Sequence, residues 1–125
     1  RLWADWSPGH DASDDLPRVK DALRDPANLS AAIAYYRATI GSGPRHPDLD
    51  PVETAAAGPL PQPTLYLHGA DDGCMGADLI EPTQVLSSLP HEASRVEVVA
   101  GTGHFLHLER PAEVNRLVID HVTAG

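Results

Sequence analysis

Apolar residues in the first third of the chain recur at helical spacing. Leu16, Val19 and Leu23 fall on one side of a predicted helix, with Asp14 or Asp15 at its N-cap. A second helix is predicted between Asp25, a typical N-cap residue, and Gly41, a typical residue just past a helix end. Pro26 occupies its first position, where a missing N–H costs nothing. Its apolar positions share one face: Leu29, Ile33, Tyr36 and Ile40.

Prolines interrupt the middle of the chain. They recur at Pro44, Pro47, Pro51, Pro59, Pro61 and Pro63. Because proline fixes φ and lacks a backbone donor, we expect residues 42–63 to form a connector without regular structure. This boundary divides the chain into a helical region, 1–41, and a second region, 64–125.

In the last third of the chain, the apolar residues also form short continuous runs in place of the helical spacing alone. Thr64–Leu67 and Arg95–Val99 are short apolar runs that predict buried strands. A helix is predicted after each strand, over Glu81–Leu89 and from Pro111 onward. The second of these has its apolar face at Val114, Leu117, Val118 and Val122. Strand, helix, strand, helix is typical of an α/β fold with a parallel sheet covered by helices.

Two strands are too few for such a sheet, because parallel strands are buried on both faces and need further neighbours. We therefore expect the missing strands to come from upstream sequence or from another chain. The chain opens at Arg1 in mid-pattern without an initiator Met, which favours a fragment.

Composition narrows the function classes. The 125 residues, 42% hydrophobic and 22% charged, are typical of one small globular domain. A net charge of −9 speaks against nucleic-acid binding, and no apolar run approaches the length of a membrane span. The single cysteine, Cys74, cannot form an internal disulfide, so we expect a cytoplasmic protein.

Two polar loops follow the predicted strands. The first spans His68–Cys74 and holds the acidic pair Asp71 and Asp72, and the second spans Ala100–Phe105 and holds His104. Working residues in open α/β sheets lie at the carboxyl ends of strands. A carboxylate after one strand can therefore meet an imidazole after the next, as an acid that orients a histidine base. Glycines in both loops allow sharp turns and close backbone approach.

These loops carry a family resemblance. Gly69-x-x-Asp72 precedes Gly101-Thr102-Gly103-His104-Phe105, with Glu109-Arg110-Pro111 and a predicted helix after it. From Pro63 onward the chain resembles the C-terminal part of the α/β-hydrolase fold, and most closely the capped epoxide-hydrolase and haloalkane-dehalogenase group. The resemblance implies that Asp72 is the triad acid, in preference to Asp71, and that His104 is the base.

The resemblance extends more loosely to the first 41 residues, which correspond to the helical cap of those enzymes. Ala34-Tyr35-Tyr36-Arg37 resembles the cap segment whose tyrosine donates a hydrogen bond to the epoxide oxygen, which implies a substrate-binding role for Tyr36. It further implies a small apolar epoxide or ester substrate and no cofactor. The chain contains no Gly-x-Ser-x-Gly elbow. We therefore expect the nucleophile, aspartate or serine, to lie upstream and this fragment alone to be inactive.

Structural explanations compete with each of these roles. His104 is also compatible with a core or capping role, Asp72 with a turn, and Tyr36 with helix packing. A metal site formed by His104, His107 and an aspartate is disfavoured, because the spacing matches no closed zinc motif. Besides an epoxide hydrolase or serine esterase, a non-catalytic binding module completed by a partner chain stays open.

Overall fold

The computed structural model describes residues 1–41, 43–44 and 46–124. Its helices and strands in chain order are α1 (Leu2–Trp6), α2 (Leu16–Ala22), α3 (Pro26–Ile40), α4 (Asp50–Ala56), β1 (Leu65–Gly69), α5 (Pro82–Ser87), β2 (Arg95–Val99), α6 (Leu106–Glu109) and α7 (Pro111–Thr123). The chain divides into two compact units. Unit 1 comprises Arg1–His10 and Gly58–Gly125, and unit 2 comprises Asp11–Ala57.

A two-stranded parallel sheet organises unit 1. Leu65 pairs with Arg95 and Gly69 with Val99, so the two strands end side by side. α5 lies between the strands in sequence and supplies the crossover that parallel pairing requires. The expected mixed α/β class is therefore confirmed at this level, and the loops after β1 and β2 emerge at the same edge.

The core of unit 1 is small. Its buried apolar side chains are Leu89, Val99, Val114 and Leu117. α7 lies against β2, where an Arg95 guanidinium N–H donates to the Leu117 carbonyl at 2.9 Å. On its predicted apolar face Val118 and Val122 remain 42% and 68% exposed. A pair of strands offers too narrow a surface to cover the whole stripe.

Arg1–His10 belongs to the unit that contains the sheet. The Trp6 carbonyl accepts hydrogen bonds from the loops after β1 and β2, and the Ser7 hydroxyl accepts one from the loop after β2. The boundary of the compact unit therefore falls after His10, within the 1–41 region that the sequence grouped together.

Unit 2 contains the helices predicted in the first third. α3 follows its predicted boundaries, with the Asp25 carboxylate accepting from the Ala27 N–H at 2.8 Å, Pro26 in the first turn and Gly41 after the last residue. Its apolar stripe is nevertheless more than a third exposed, from 39% at Ile33 to 82% at Ile40. The helix is thus fixed by its caps, and its apolar face is not covered.

The proline-rich segment 42–63 is not devoid of regular structure, which corrects that expectation. A 3₁₀ turn at Pro47–Leu49 leads directly into α4, and the strand that follows, β1, begins at Leu65. Pro47 and Pro51 occupy first-turn positions, where no backbone N–H would be bonded within the helix, so these prolines start helices instead of blocking them. Ser42 and Arg45 of this segment, like Gly125, lie outside the described residues.

None of the helices in the described ranges combines the length and the apolar character needed to cross a membrane.

Candidate acid–base site

The loop after β1 folds around the side chain of Asp72. The Oδ1 atom accepts the backbone N–H groups of Cys74 at 2.7 Å and Met75 at 3.0 Å, while the Asp72 N–H donates to the Gly69 carbonyl at 3.2 Å. Aspartate favours turns for this reason: its carboxylate can accept from the backbone two or three residues ahead. The side chain is only 5% exposed, so the loop holds a carboxylate in a buried position.

The electrostatics of Asp72 favour its charged form. Burial by itself raises the pKa of the carboxyl, but the Met75 N–H, the His104 ring and the Cys74 N–H outweigh burial and hold the pKa below its ordinary value. The carboxylate is therefore ionised at neutral pH and can only accept hydrogen bonds.

His68 supports the same loop from the end of β1. Its Nε2 lies 2.9 Å from the Met75 carbonyl and its Nδ1 lies 3.3 Å from the Tyr66 hydroxyl. Since a carbonyl can only accept, Nε2 donates and Nδ1 accepts the phenolic proton. His68 therefore joins the end of β1 to the loop that holds Asp72.

The loop after β2 is held differently. Gly101 adopts φ of +66°, a left-handed conformation that favours glycine. The buried Thr102 hydroxyl donates back to the Val99 carbonyl at 2.9 Å. The Gly103 N–H donates to both carboxylate oxygens of Glu109, at 3.0 and 2.9 Å. A glutamate beyond the loop thus fixes the residue that precedes His104.

The two loops pack backbone against backbone. The Asp71 N–H donates to the Thr102 carbonyl at 2.8 Å. A Cβ atom at Gly69 would overlap the Gly103 carbonyl oxygen and lie 2.6 Å from the Thr102 carbonyl oxygen. This close approach explains why β1 ends in glycine, in agreement with the expected role of the glycines in these loops.

Asp72 and His104 meet where the loops converge. The Asp72 Oδ2 atom lies 2.9 Å from His104 Nδ1, and the histidine side chain is 33% exposed. Because the carboxylate only accepts, the proton is assigned to Nδ1, which leaves Nε2 as the basic nitrogen. The arrangement can take up a proton at Nε2 and stabilise the resulting imidazolium through the Asp72 charge.

Aromatic rings surround the imidazole. The Trp6 ring meets the His104 ring edge-on, with centroids 4.8 Å apart, and the Phe105 ring does so at 5.3 Å. Trp3 packs on Phe105 with a centroid distance of 4.8 Å. Trp3 and Trp6 therefore both belong to an aromatic cluster around His104.

Sequence reasoning assigned no role in the site to Ser7, and none to Glu109 beyond its place in the motif. Ser7 is fully buried, and its Oγ accepts the Phe105 N–H at 3.0 Å across 98 residues of sequence. No local pattern signals a contact of that separation. Glu109 is nearer, six residues beyond Gly103, but a carboxylate that bonds a backbone N–H leaves no periodic signature.

The remaining candidates either contribute backbone groups to these loops or belong to unit 2. Asp71 is exposed, although its backbone joins the loops. Tyr36 lies in unit 2, 52% exposed, with its ring against that of Tyr35 at 5.4 Å. Cys74 is exposed and contributes its backbone N–H. Across the described residues, no group of three or more His, Cys, Asp or Glu side chains is arranged to hold a metal ion.

Unit 2 contains a cleft of about 880 Å³ between α3 and α4. Alanine and threonine side chains of both helices form much of its wall, together with Tyr35, Asp50 and Glu53. Neither Asp72 nor His104 lines this cleft, so the acid–base pair and the cleft are two separate candidate sites. The pair supplies a base and the carboxylate that orients it, which are the groups that acid–base chemistry requires.

No protein-family model matches the chain, and comparisons with curated proteins and with solved structures find no match either. Functional assignment therefore depends on the geometry of the Asp72–His104 pair and on the motifs that carry it.

Proposed function

We propose that this chain contributes the acid–base half of a hydrolase active site of the α/β-hydrolase kind. His104 acts as the general base, and Asp72 orients it and stabilises its imidazolium form. The observation that supports this proposal is the 2.9 Å contact between Asp72 Oδ2 and His104 Nδ1. It joins a buried carboxylate to a partly exposed imidazole at the ends of two adjacent parallel strands.

In the proposed reaction the nucleophile comes from a segment outside these 125 residues. With an epoxide, an upstream aspartate attacks a ring carbon, the ring C–O bond breaks, and the alkoxide takes a proton from the Tyr36 phenol, which leaves a covalent ester. With an ester, an upstream serine passes its proton to His104 as it attacks the carbonyl carbon, and the imidazolium gives that proton to the departing alcohol. His104 Nε2 then removes a proton from water, the resulting hydroxide attacks the ester, and the ester bond breaks to release the product and regenerate the nucleophile. Asp72 stabilises the imidazolium until that proton returns to the Tyr36 phenolate in the epoxide reaction, or to the departing serine oxygen in the ester reaction.

The substrate class in this proposal is a small apolar epoxide, with an ester as the alternative. The two differ in what they require of Tyr36, whose phenol is proposed to donate a hydrogen bond to the epoxide oxygen as the ring opens. An ester needs no such phenol. The pair Tyr35 and Tyr36 therefore offers a matched comparison, since the two residues are adjacent in α3.

The test uses the protein as its natural source makes it, assayed for hydrolysis of a styrene-type epoxide and a p-nitrophenyl ester. We expect His104→Gln to reduce kcat by about a hundredfold to ten-thousandfold, because general-base catalysis contributes that much. His107→Gln is the matched control, since His107 is exposed on α6 and should change little.

The proposal fails if the wild-type protein hydrolyses neither substrate, or if His104→Gln retains the wild-type kcat. Tyr36→Phe decides the substrate class: an epoxide hydrolase loses epoxide turnover while Tyr35→Phe does not, and an esterase tolerates both changes.

A further inference from the structure

The two loops of the site share one hydrogen-bond acceptor. The Trp6 carbonyl oxygen accepts the Gly73 N–H at 3.1 Å from the loop after β1 and the His104 N–H at 2.9 Å from the loop after β2. Gly73 directly follows Asp72, and His104 is the histidine itself. A single peptide group therefore anchors the backbone beside both members of the pair.

The next residue adds a third anchor. Ser7 is fully buried, and its Oγ accepts the Phe105 N–H at 3.0 Å, one residue beyond His104. Burying a hydroxyl is costly unless it is hydrogen-bonded, so this side chain has a strong preference for the arrangement in which the bond is made.

Glycines permit the close approach of this segment. A Cβ atom at Gly73 would overlap the Asp5 carbonyl oxygen, and one at Gly103 would overlap the Ser7 backbone and lie 2.7 Å from the Trp6 carbonyl oxygen. Neither contact leaves room for a side chain. The loops and the N-terminal segment are therefore in close contact through backbone atoms, which cannot shift as readily as flexible side chains.

We propose that Trp6 and Ser7 act as a positioning clamp that sets the distance between Asp72 and His104. The effect of the clamp on catalysis rests on the proposed function. Its effect on the distance between Asp72 and His104 can be measured without any substrate. Since both loops are anchored on the same peptide group, movement of either loop relative to the other must break one of the three anchors. The Trp6 ring, edge-on to the imidazole, further restricts rotation of the histidine.

The first test follows the Nδ1 proton of His104 by NMR in the ¹⁵N-labelled chain. Ser7→Ala removes the acceptor of the Phe105 N–H, which is partly buried. We expect the Nδ1 proton to exchange with water at least about fivefold faster, the factor that corresponds to losing one hydrogen bond. Ser87→Ala is the matched control, because the Ser87 hydroxyl is exposed and bonds only its own helix.

The clamp is overturned if Ser7→Ala leaves the Nδ1 proton exchange within about twofold of wild type while the Phe105 amide signal reports loss of its bond. A second measurement needs no variant and covers the case in which Ser7→Ala does not fold. In the wild-type protein, native-state amide exchange should release Gly73, His104 and Phe105 in one common opening. Independent openings of the three amides would contradict the clamp.

Turnover separates this proposal from the proposed function. In a protein that hydrolyses its substrate, Ser7→Ala should lower kcat while leaving KM unchanged, because Ser7 acts through His104 and does not contact the substrate. If the wild-type protein hydrolyses nothing, the proposed function fails, and the NMR measurements still decide whether Trp6 and Ser7 hold the pair together.

Discussion

The two loops of the site hold their functional side chains in opposite ways. In the loop after β1, Asp72 is fixed locally, since its Oδ1 accepts N–H groups two and three residues ahead. In the loop after β2, the His104 side chain instead bonds Asp72 of the other loop, and the backbone around it is held by residues outside its own loop. Glu109 holds the preceding residue, while Trp6 and Ser7 bond the backbone of His104 and Phe105 from the other end of the chain.

This difference determines how each side chain keeps its conformation when the structure around it is perturbed. A side chain that bonds its own loop keeps its conformation as long as the loop exists. One that depends on distant partners keeps it only while the whole unit is folded, so its order follows the global stability of unit 1. The acid side of the pair should therefore tolerate perturbation better than the base side.

The largest expected effect comes from Asp72→Asn, which alters the group common to both loops. The amide oxygen can still accept the Cys74 and Met75 N–H groups, so the first loop should persist. The amide NH₂ then faces His104 Nδ1 and favours the opposite tautomer, with the proton on Nε2. We expect a fall in kcat of about ten-thousandfold, measured in the protein as its source makes it.

The tautomer itself can be read from the ¹⁵N shifts of the His104 ring, independently of turnover. A variant whose Nδ1 still carries the proton would contradict the assigned direction of the hydrogen bond. Loss of the Cys74 and Met75 amide protection would contradict the local character of the first loop.

A smaller but still large effect is expected in the second loop from Gly103→Ala. The added methyl would overlap the Ser7 backbone, and overpacking of this kind costs up to about 3 kcal/mol. Gly9→Ala is the control. Gly9 has a φ of +93°, which disfavours a side chain, but an added methyl group there would meet no other atom within 4 Å. There we expect a cost of about 1 kcal/mol, from the left-handed backbone alone.

Chemical denaturation of both variants measures the difference in the free energy of unfolding. Equal costs would mean that the second loop yields readily, and the contrast between the loops would be lost.

The same contrast explains what the sequence could reveal. Asp25, Pro26 and Gly41 act through neighbours a few residues away, and the helix they bound was predicted at both ends. β2 was likewise predicted at Arg95–Val99, because the strand signal is local. The Asp72–His104 pairing was accessible because parallel strands bring their carboxyl ends together.

What the sequence could not reveal has a non-local cause. Ser7 reaches Phe105 across 98 residues, and nothing in the spacing of either residue indicates the other. The helix α4 was missed for another reason: Pro47 and Pro51 were interpreted as breakers, although proline is favoured in the first turn of a helix. The exposed stripe of α3 shows that periodicity predicts which face is apolar, not whether that face is covered.

The smallest expected effect concerns acid stability and tests the first loop alone. Because the folded protein holds the pKa of Asp72 below its ordinary value of 3.8, the ionised carboxylate stabilises the fold above that pH, and this contribution is lost as the pH falls through the lowered pKa. Urea unfolding midpoints measured from about pH 5 down to about pH 3 should therefore fall more steeply in wild type than in Asp72→Asn.

Asp71→Asn is the matched control, because it leaves the Asp72 carboxyl and its N–H donors in place and should keep the wild-type slope. If all three proteins lose stability in parallel, the charged form of Asp72 adds nothing to the fold, and the loop after β1 owes its conformation to its backbone rather than to its carboxylate.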